Sequence, residues 1–165
     1  ENPLFVAIIM ILGGVILLFV DTWFSKPTIH HEKDISNNVA IKIGLFQCLA
    51  IIFPGLSRSA ATIIGAMSQK VSKEAAAEFS FFLAVPTMFA ATGYKTLSYI
   101  KDHGMFTNDQ LTTLDIGNLT AFIVALLAIK FFIGFVKNNG FKVFGIYRIL
   151  LGIVVMILIG LGYMG

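Results

Sequence analysis

This sequence predicts an all-α integral membrane protein, built from transmembrane helices plus one re-entrant helix hairpin. Three observations carry the prediction. Hydrophobic residues make up 57% of the 165-residue chain and charged residues only 13%, against roughly 25% charge in a soluble domain. Four stretches are long and apolar enough to cross a hydrocarbon core of about 30 Å. A fifth interval is just as apolar, but a Pro-Gly break divides it into halves too short to cross. The same composition excludes a disordered tail, a secreted disulfide scaffold and a nucleic-acid-binding module, so no nucleic-acid partner is expected. The formal net charge of +3 then speaks to topology. The single cysteine, Cys48, has no internal disulfide partner, and its apolar neighbours Leu49 and Ala50 predict a buried small hydrophobe. The chain opens on Glu1 and enters an apolar run without a basic leader, which suggests a truncated chain.

The first span covers residues 4–24, because Leu4 to Val20 is unbroken by any polar side chain. Ser25 to Asn38, with Pro27, His30, His31, Glu32, Lys33 and Asp34, is too polar for lipid and predicts an exposed loop. Residues 75–97 form a second span with Pro86 inside it, tolerated where neighbouring groups satisfy the freed carbonyl. The polar run Lys101 to Asp115 predicts a loop, with Thr113 or Asp115 capping the helix that follows. Residues 116–136 are span-length, with Lys130 near enough to an end to snorkel. A short Lys137-Asn138-Asn139-Gly140 turn leads into the last span, 143–164.

Residues 43–69 depart from this pattern. Ile43 to Phe53 and Ser59 to Gln69 are uncharged, and Pro54-Gly55-Leu56-Ser57-Arg58 separates them. At 1.5 Å rise per residue each half reaches only ~16 Å, about half a bilayer. Two such halves around a Pro-Gly break predict a re-entrant hairpin whose tip lies near mid-depth and lines a cavity or is buried in protein. That topology gathers Lys26, Lys33, Lys42, Lys70, Lys73, Lys137 and Lys142 on one side and leaves Lys95 and Lys101 on the other. The lysine-rich side is expected to be cytoplasmic.

The hairpin tip is also where chemistry-bearing residues converge. Pro54-Gly55 ends the first half-helix, Ser57 can cap the second, and the second helix offers its unpaired first-turn amides. A helix N-terminus attracts anions, and Arg58 adds a planar fork suited to two phosphate oxygens. Ser57, Ser59 and Thr62 add hydroxyls, the last two spaced to share a helical face. An arginine at mid-membrane is costly, which marks Arg58 as functional. A competing reading pairs Arg58 with Glu78 to lock helix packing; Glu78 could otherwise orient Arg58, or pair with Lys73 or Lys95. Gln47 could hydrogen-bond the turn. Ala61/Gly65 and Thr62/Ala66 are pairs of small residues suited to close helix contact, and with a second repeat they would bring two tips together. His30, His31 and His103 do not form a metal-binding pattern, and no metal ligands are assigned in this chain.

Gln47, the run Pro54-Gly55-x-Ser57-Arg58-Ser59-x-x-Thr62, Ala75-Ala76-Ala77-Glu78-Phe79-Ser80-Phe81, Pro86 and the late Ile146-Tyr147-Arg148 resemble the second signature of the bacterial undecaprenyl-diphosphate phosphatases, the bacitracin-resistance family. The departure is Ala60, where the family signature has Gly. The resemblance implies one half of an inverted-repeat architecture, with residues 1–165 as the C-terminal repeat and a single membrane domain. It implies hydrolysis of undecaprenyl diphosphate to undecaprenyl phosphate and phosphate in cell-wall lipid-carrier recycling. Arg58, Ser57, Ser59 and Thr62 would be catalytic, and Gly55, Gln47 and Glu78 would contact substrate. A divalent cation, Mg or Ca, is expected to take its ligands from the first half, since one arginine and one helix terminus do not neutralise a diphosphate. The expected location is the bacterial inner membrane, multi-pass, among membrane lipid, with the site opening to the outer face; a homodimer is left open. The alternative of another class is a secondary transporter that uses the re-entrant loop to bind an anion. An acid-phosphatase-like lipid phosphatase would need a catalytic histidine downstream of Arg58, where only His103 stands.

Overall fold

The computed structural model describes residues 2–163, so Met164, at the end of the last expected span, falls outside the described residues. The chain is helical: α1 Pro3–Trp23, α2 Asn37–Ile52, α3 Arg58–Ser68, α4 Lys73–His103, α5 Asn108–Asn139 and α6 Lys142–Gly160, with a 3₁₀ turn at Glu32–Asp34. The helices α1, α4, α5 and α6 are each long and apolar enough to cross a bilayer. The protein is therefore an all-α, multi-pass integral membrane protein.

Between α1 and α4 the chain goes out along α2 and comes back along α3, which pack against each other. The backbone shows where the excursion starts and ends. Thr28 and Ile29 donate to the Lys70 carbonyl at 2.8 and 3.1 Å, and Ser72 donates to the Ile29 carbonyl at 2.8 Å. The segment leaving α1 thus pairs with the segment entering α4, so the hairpin returns to the side it left. Its base is closed by a helix-ending motif in which Val71 and Lys70 donate to the Ala66 and Met67 carbonyls at 3.2 and 3.0 Å. Lys70 occupies the left-handed position of that motif, with φ 64°, a place that usually falls to Gly. Above the base lies the core, where Ile43, Ile63, Ala66 and Met67 of the hairpin meet Val20, Ala76 and Val136.

Small residues decide which faces meet. A Cβ on Gly65 would lie 2.6 Å from the Phe46 Cβ, and Ala61 and Ala66 are 3% and 0% exposed. The small-residue face of α3 is therefore consumed inside the hairpin and against α4, and is not left to approach a second repeat as expected. The helices α1 and α6 pack antiparallel, with Gly14 against Gly145 and Gly152 against Ile11. A Cβ on Gly145 would lie 2.7 Å from the Gly14 carbonyl oxygen, so backbone touches backbone there.

Several boundaries differ from the sequence reading. Helix α2 begins at Asn37, since Lys42 is exposed at the edge of the helix and does not break it. The expected 101–115 loop shrinks to a short turn around Gly104. Thr107 accepts from the Gln110 amide while the Gln110 side chain accepts from the Thr107 amide, and this capping box starts α5 at Asn108. Thr113 and Asp115 consequently lie inside α5. Pro86 stands within α4 without ending it. Cys48 is exposed, because it lies on the outer face of α2; apolar sequence neighbours do not determine which way a helical side chain faces.

Candidate active site at the hairpin tip

The tip is built by three local devices. Phe53 closes α2 by donating to the Leu49 carbonyl at 2.8 Å, and Leu56 turns the chain by donating to the Phe53 carbonyl at 3.0 Å. Gly55 has φ 97°, and a Cβ there would lie 2.5 Å from the Val6 carbonyl oxygen. Only glycine fits, both for backbone conformation and for the close approach to α1. Ser57 then caps α3, its Oγ accepting from the Ala60 amide at 3.3 Å, while the Ser57 carbonyl accepts from Ala61 at 3.0 Å. Among the described residues the amides of Gly55, Ser57, Arg58 and Ser59 have no backbone partner.

The predicted residues divide into two groups. Ser57 and Ser59 are exposed and Arg58 is half-buried. Among the described residues Arg58 forms no ion pair, so its fork is free to take an anion. Thr62 is 1% exposed, and it does not share an open face with Ser59. Its hydroxyl donates to the Arg58 carbonyl at 2.9 Å and lies 3.5 Å from the Gln47 Oε1. One hydroxyl proton serves only one acceptor, so the shorter bond, to the Arg58 carbonyl, takes it, and the Gln47 Oε1 lies beside it at the outer limit of hydrogen-bonding distance. Gln47 and Thr62 thus join α2 to the first turn of α3 from behind. Glu78 is placed elsewhere: it lies within hydrogen-bonding reach of Glu32, with His31 and Glu74 nearby, close to where α4 begins. The pairing of Glu78 with Arg58 is absent from the structure.

A second arginine, to which sequence reasoning assigned no role, completes the tip. Arg148 of α6 donates from Nη2 to the Gly55 carbonyl at 2.6 Å, and its Nε is buried without a partner among the described residues. The guanidinium passes over Gly13, where a Cβ would lie 3.2 Å from Nη2. Arg148 therefore ties α6 across α1 to the turn and turns the Gly55 carbonyl away from the open side. The hints in sequence were an arginine inside an apolar span, its place in the Ile146-Tyr147-Arg148 run that shares the family resemblance, and two adjacent glycines in α1. The tip lies against α1 between Val6 and Gly13, about 12–22 Å by helical rise from Asp21 at the lysine-rich end.

This donor set suits an anion. Among the described residues no group of three His, Cys, Asp or Glu side chains could hold a metal ion, and the tip offers amide N–H groups and a guanidinium, which do not ligate cations, with neutral serine hydroxyls that do not hold a divalent ion without carboxylates beside them. The residues present thus do not by themselves fit the divalent cation that the resemblance implies.

Residues 1–154 match the family described as Bacitracin resistance protein BacA. Among similar curated proteins, one from Flavobacterium psychrophilum named undecaprenyl-diphosphatase is 56% identical over 158 residues, covering 96% of this chain and 59% of that protein. Proteins of the same name from Porphyromonas gingivalis and Aquifex aeolicus are 53% and 46% identical over 154 residues, each covering 93% of this chain and 54% and 59% of the relative. The chain spans a little over half the length of these relatives.

Proposed function

The chain belongs to the bacitracin resistance protein BacA family, and from that premise we propose that its hairpin tip is the phosphate-gripping part of a membrane phosphatase site. The substrate is undecaprenyl diphosphate, and the products are phosphate and undecaprenyl phosphate, the lipid carrier of cell-wall synthesis. The names of the relatives support this reading over anion transport. The observation that carries it is the half-buried, unpaired Arg58 beside the free amides of Gly55, Ser57, Arg58 and Ser59 and two exposed serine hydroxyls. In a chain this apolar an arginine without a carboxylate is costly unless an anionic ligand meets it.

Each residue has a distinct task in this reading. Arg58 grips two oxygens of the diphosphate and stabilises charge as the phosphoryl group transfers. The Arg58 and Ser59 amides, aligned at the start of α3, add their partial positive charge. Ser59, whose hydroxyl makes no other hydrogen bond among the described residues, donates directly to a phosphate oxygen; Ser57 retains its proton for donation while its lone pair caps the helix. Thr62 holds the Arg58 carbonyl and so the first turn, with Gln47 behind it, and Gly55 with Arg148 fixes the turn. Glu78 is no part of this constellation; it lies at the base, beside Glu32. A divalent cation would draw its ligands from the part of the relatives that this chain does not span.

The base, with Lys26, Lys33, Lys70, Lys73, Lys137 and Lys142 near it, faces the cytoplasm of a bacterial inner membrane. The tip then lies against the far half of α1, which supports opening toward the outer face. A cysteine at Met105 in the α4–α5 turn should react with a membrane-impermeant thiol reagent on intact cells, and one at Lys33 should not; the reverse pattern contradicts this orientation. The role of Arg58 is tested by Arg58→Lys in the full-length protein, which keeps the charge and loses the fork. Phosphate release should fall by about 100-fold or more, and a wild-type rate would remove the assigned role.

A further inference from the structure

We propose that Asp21 is a positioning residue for this site: by capping α6 from α1, it sets the register that delivers Arg148 to the Gly55 carbonyl. The inference rests on the phosphatase reading above. Asp21 lies in the last turn of α1, where a negative charge opposes the helix dipole. Nothing in its own helix accounts for it. Helix α6, in turn, starts without a cap of its own. Its N-cap residue is Phe141, which makes no side-chain capping bond, and the preceding Asn138-Asn139-Gly140 contributes none.

The two anomalies resolve each other. The Phe141 amide donates to Asp21 Oδ2 at 2.7 Å, so a carboxylate from the end of α1 meets the positive end of α6. Gly140 has φ 66°, and a Cβ there would collide with the same carboxylate oxygen; the turn is shaped to admit Asp21. The other oxygen, Oδ1, is buried and has no partner among the described residues. A carboxylate half satisfied in this way is an expensive means of capping a helix that a local Ser or Asp could cap.

What Asp21 adds over a local cap is a connection to α1. Phe141, Gly145, Arg148 and Gly152 form one stripe along α6, at spacings of four, three and four residues. Gly145 and Gly152 of that stripe pack on α1, and Arg148 reaches past Gly13 to the tip. A slip of α6 by one residue would turn it by about 100° and carry Arg148 off the stripe. Asp21 pins the start of the stripe to the same helix that Arg148 crosses further along, so the cap and the arginine act in series on the Gly55 turn.

The test is a double-mutant cycle in the full-length protein with Asp21→Leu, Arg148→Met and the pair, alongside Asp21→Asn. The readouts are phosphate release from undecaprenyl diphosphate and hydrogen exchange at residues 55–59. Asp21→Leu should lower kcat/KM about tenfold and speed exchange at 55–59. Asp21→Asn, whose amide oxygen accepts the same N–H, should stay within about threefold of wild type. In the Arg148→Met background Asp21→Leu should add less than twofold. Additive losses, or equal damage from the Asn and Leu variants, would overturn the proposal, because a cap that only stabilises α6 does not act through Arg148. Should Asp21→Leu not fold, Asp21→Ser takes its place in the cycle, with the same expectation of less than twofold added loss and the same contradiction if losses add. A wild-type protein that releases no phosphate would remove the phosphatase reading alone, since the exchange rates at 55–59 would still decide the role of Asp21.

Discussion

The two ends of the hairpin use the same cap for opposite purposes. At the base Ser72 accepts from the Ala75 amide at 3.3 Å, and at the tip Ser57 accepts from the Ala60 amide at the same distance. Ser72 is 6% exposed, and the backbone around it is consumed by bonds among Thr28, Ile29, Lys70 and Val71. Ser57 is exposed, and the amides beside it have no backbone partner. The base thus closes its hydrogen bonds to hold the fold, while the tip leaves donors open for a ligand and relies on Arg148, Gln47 and Thr62 to keep its shape. Stability and binding are separated along about 11 residues of α3.

Substitutions at the two ends should therefore break different properties. The largest effect is expected from Gly55→Ala in the full-length protein. Its Cβ has nowhere to go against Val6 and its φ is forbidden to alanine, so phosphate release should fall by more than 100-fold, while hydrogen exchange at residues 66–76 stays as in wild type. Loss of protection at the base as well would show that the ends are not independent. Next comes Ser59→Ala, which removes the open hydroxyl without touching any helix bond; a drop of roughly tenfold in kcat/KM is expected with an unchanged melting temperature. Thr62→Val removes the bond to the Arg58 carbonyl at constant volume and should cost about 1 kcal/mol of stability as well as activity, a mixed signature because the residue joins the tip to its support.

The base gives smaller effects of the other kind. Ser72→Ala should cost about 1 kcal/mol of stability and leave kcat/KM within twofold, measured by thermal unfolding and phosphate release on the same preparation. Lys70→Gly should stabilise by about 1 kcal/mol, because it relieves a left-handed backbone in a side-chain-bearing residue. A Lys70→Gly variant with altered kcat/KM would mean that the strain serves the site and not the fold.

Legibility in the sequence followed the range of the contacts. The Pro54-Gly55 break, the two uncharged halves and Ser57-Arg58-Ser59 are local signals, and the structure places these residues together at one turn. The capping box at Thr107 and Gln110 was equally local, but the polar run from Lys101 to Asp115 hid it, since charges at the end of a long helix do not stop that helix. Asp21 and Arg148 were beyond reach for a different reason. Their partners lie 120 and 93 residues away, and the apolar stretches around them do not indicate which helix they will face. Thr62 was found as a tip residue, but only the packing of α2 on α3 shows that its hydroxyl faces Gln47 and the backbone, behind the open side. Glu78 was misplaced because it lies only five residues into α4, near the base, whereas Arg58 stands at the opposite end of α3, ten residues from the base.

The central claim, that the tip binds phosphate and the base only holds the fold, is most directly tested by hydrogen exchange on the full-length protein with and without saturating inorganic phosphate. Phosphate should slow exchange at the amides of Gly55, Ser57, Arg58 and Ser59, leave residues 66–76 unchanged, and lose its effect in the Arg58→Lys variant. Unchanged exchange at 55–59, or equal protection at tip and base, would contradict the account.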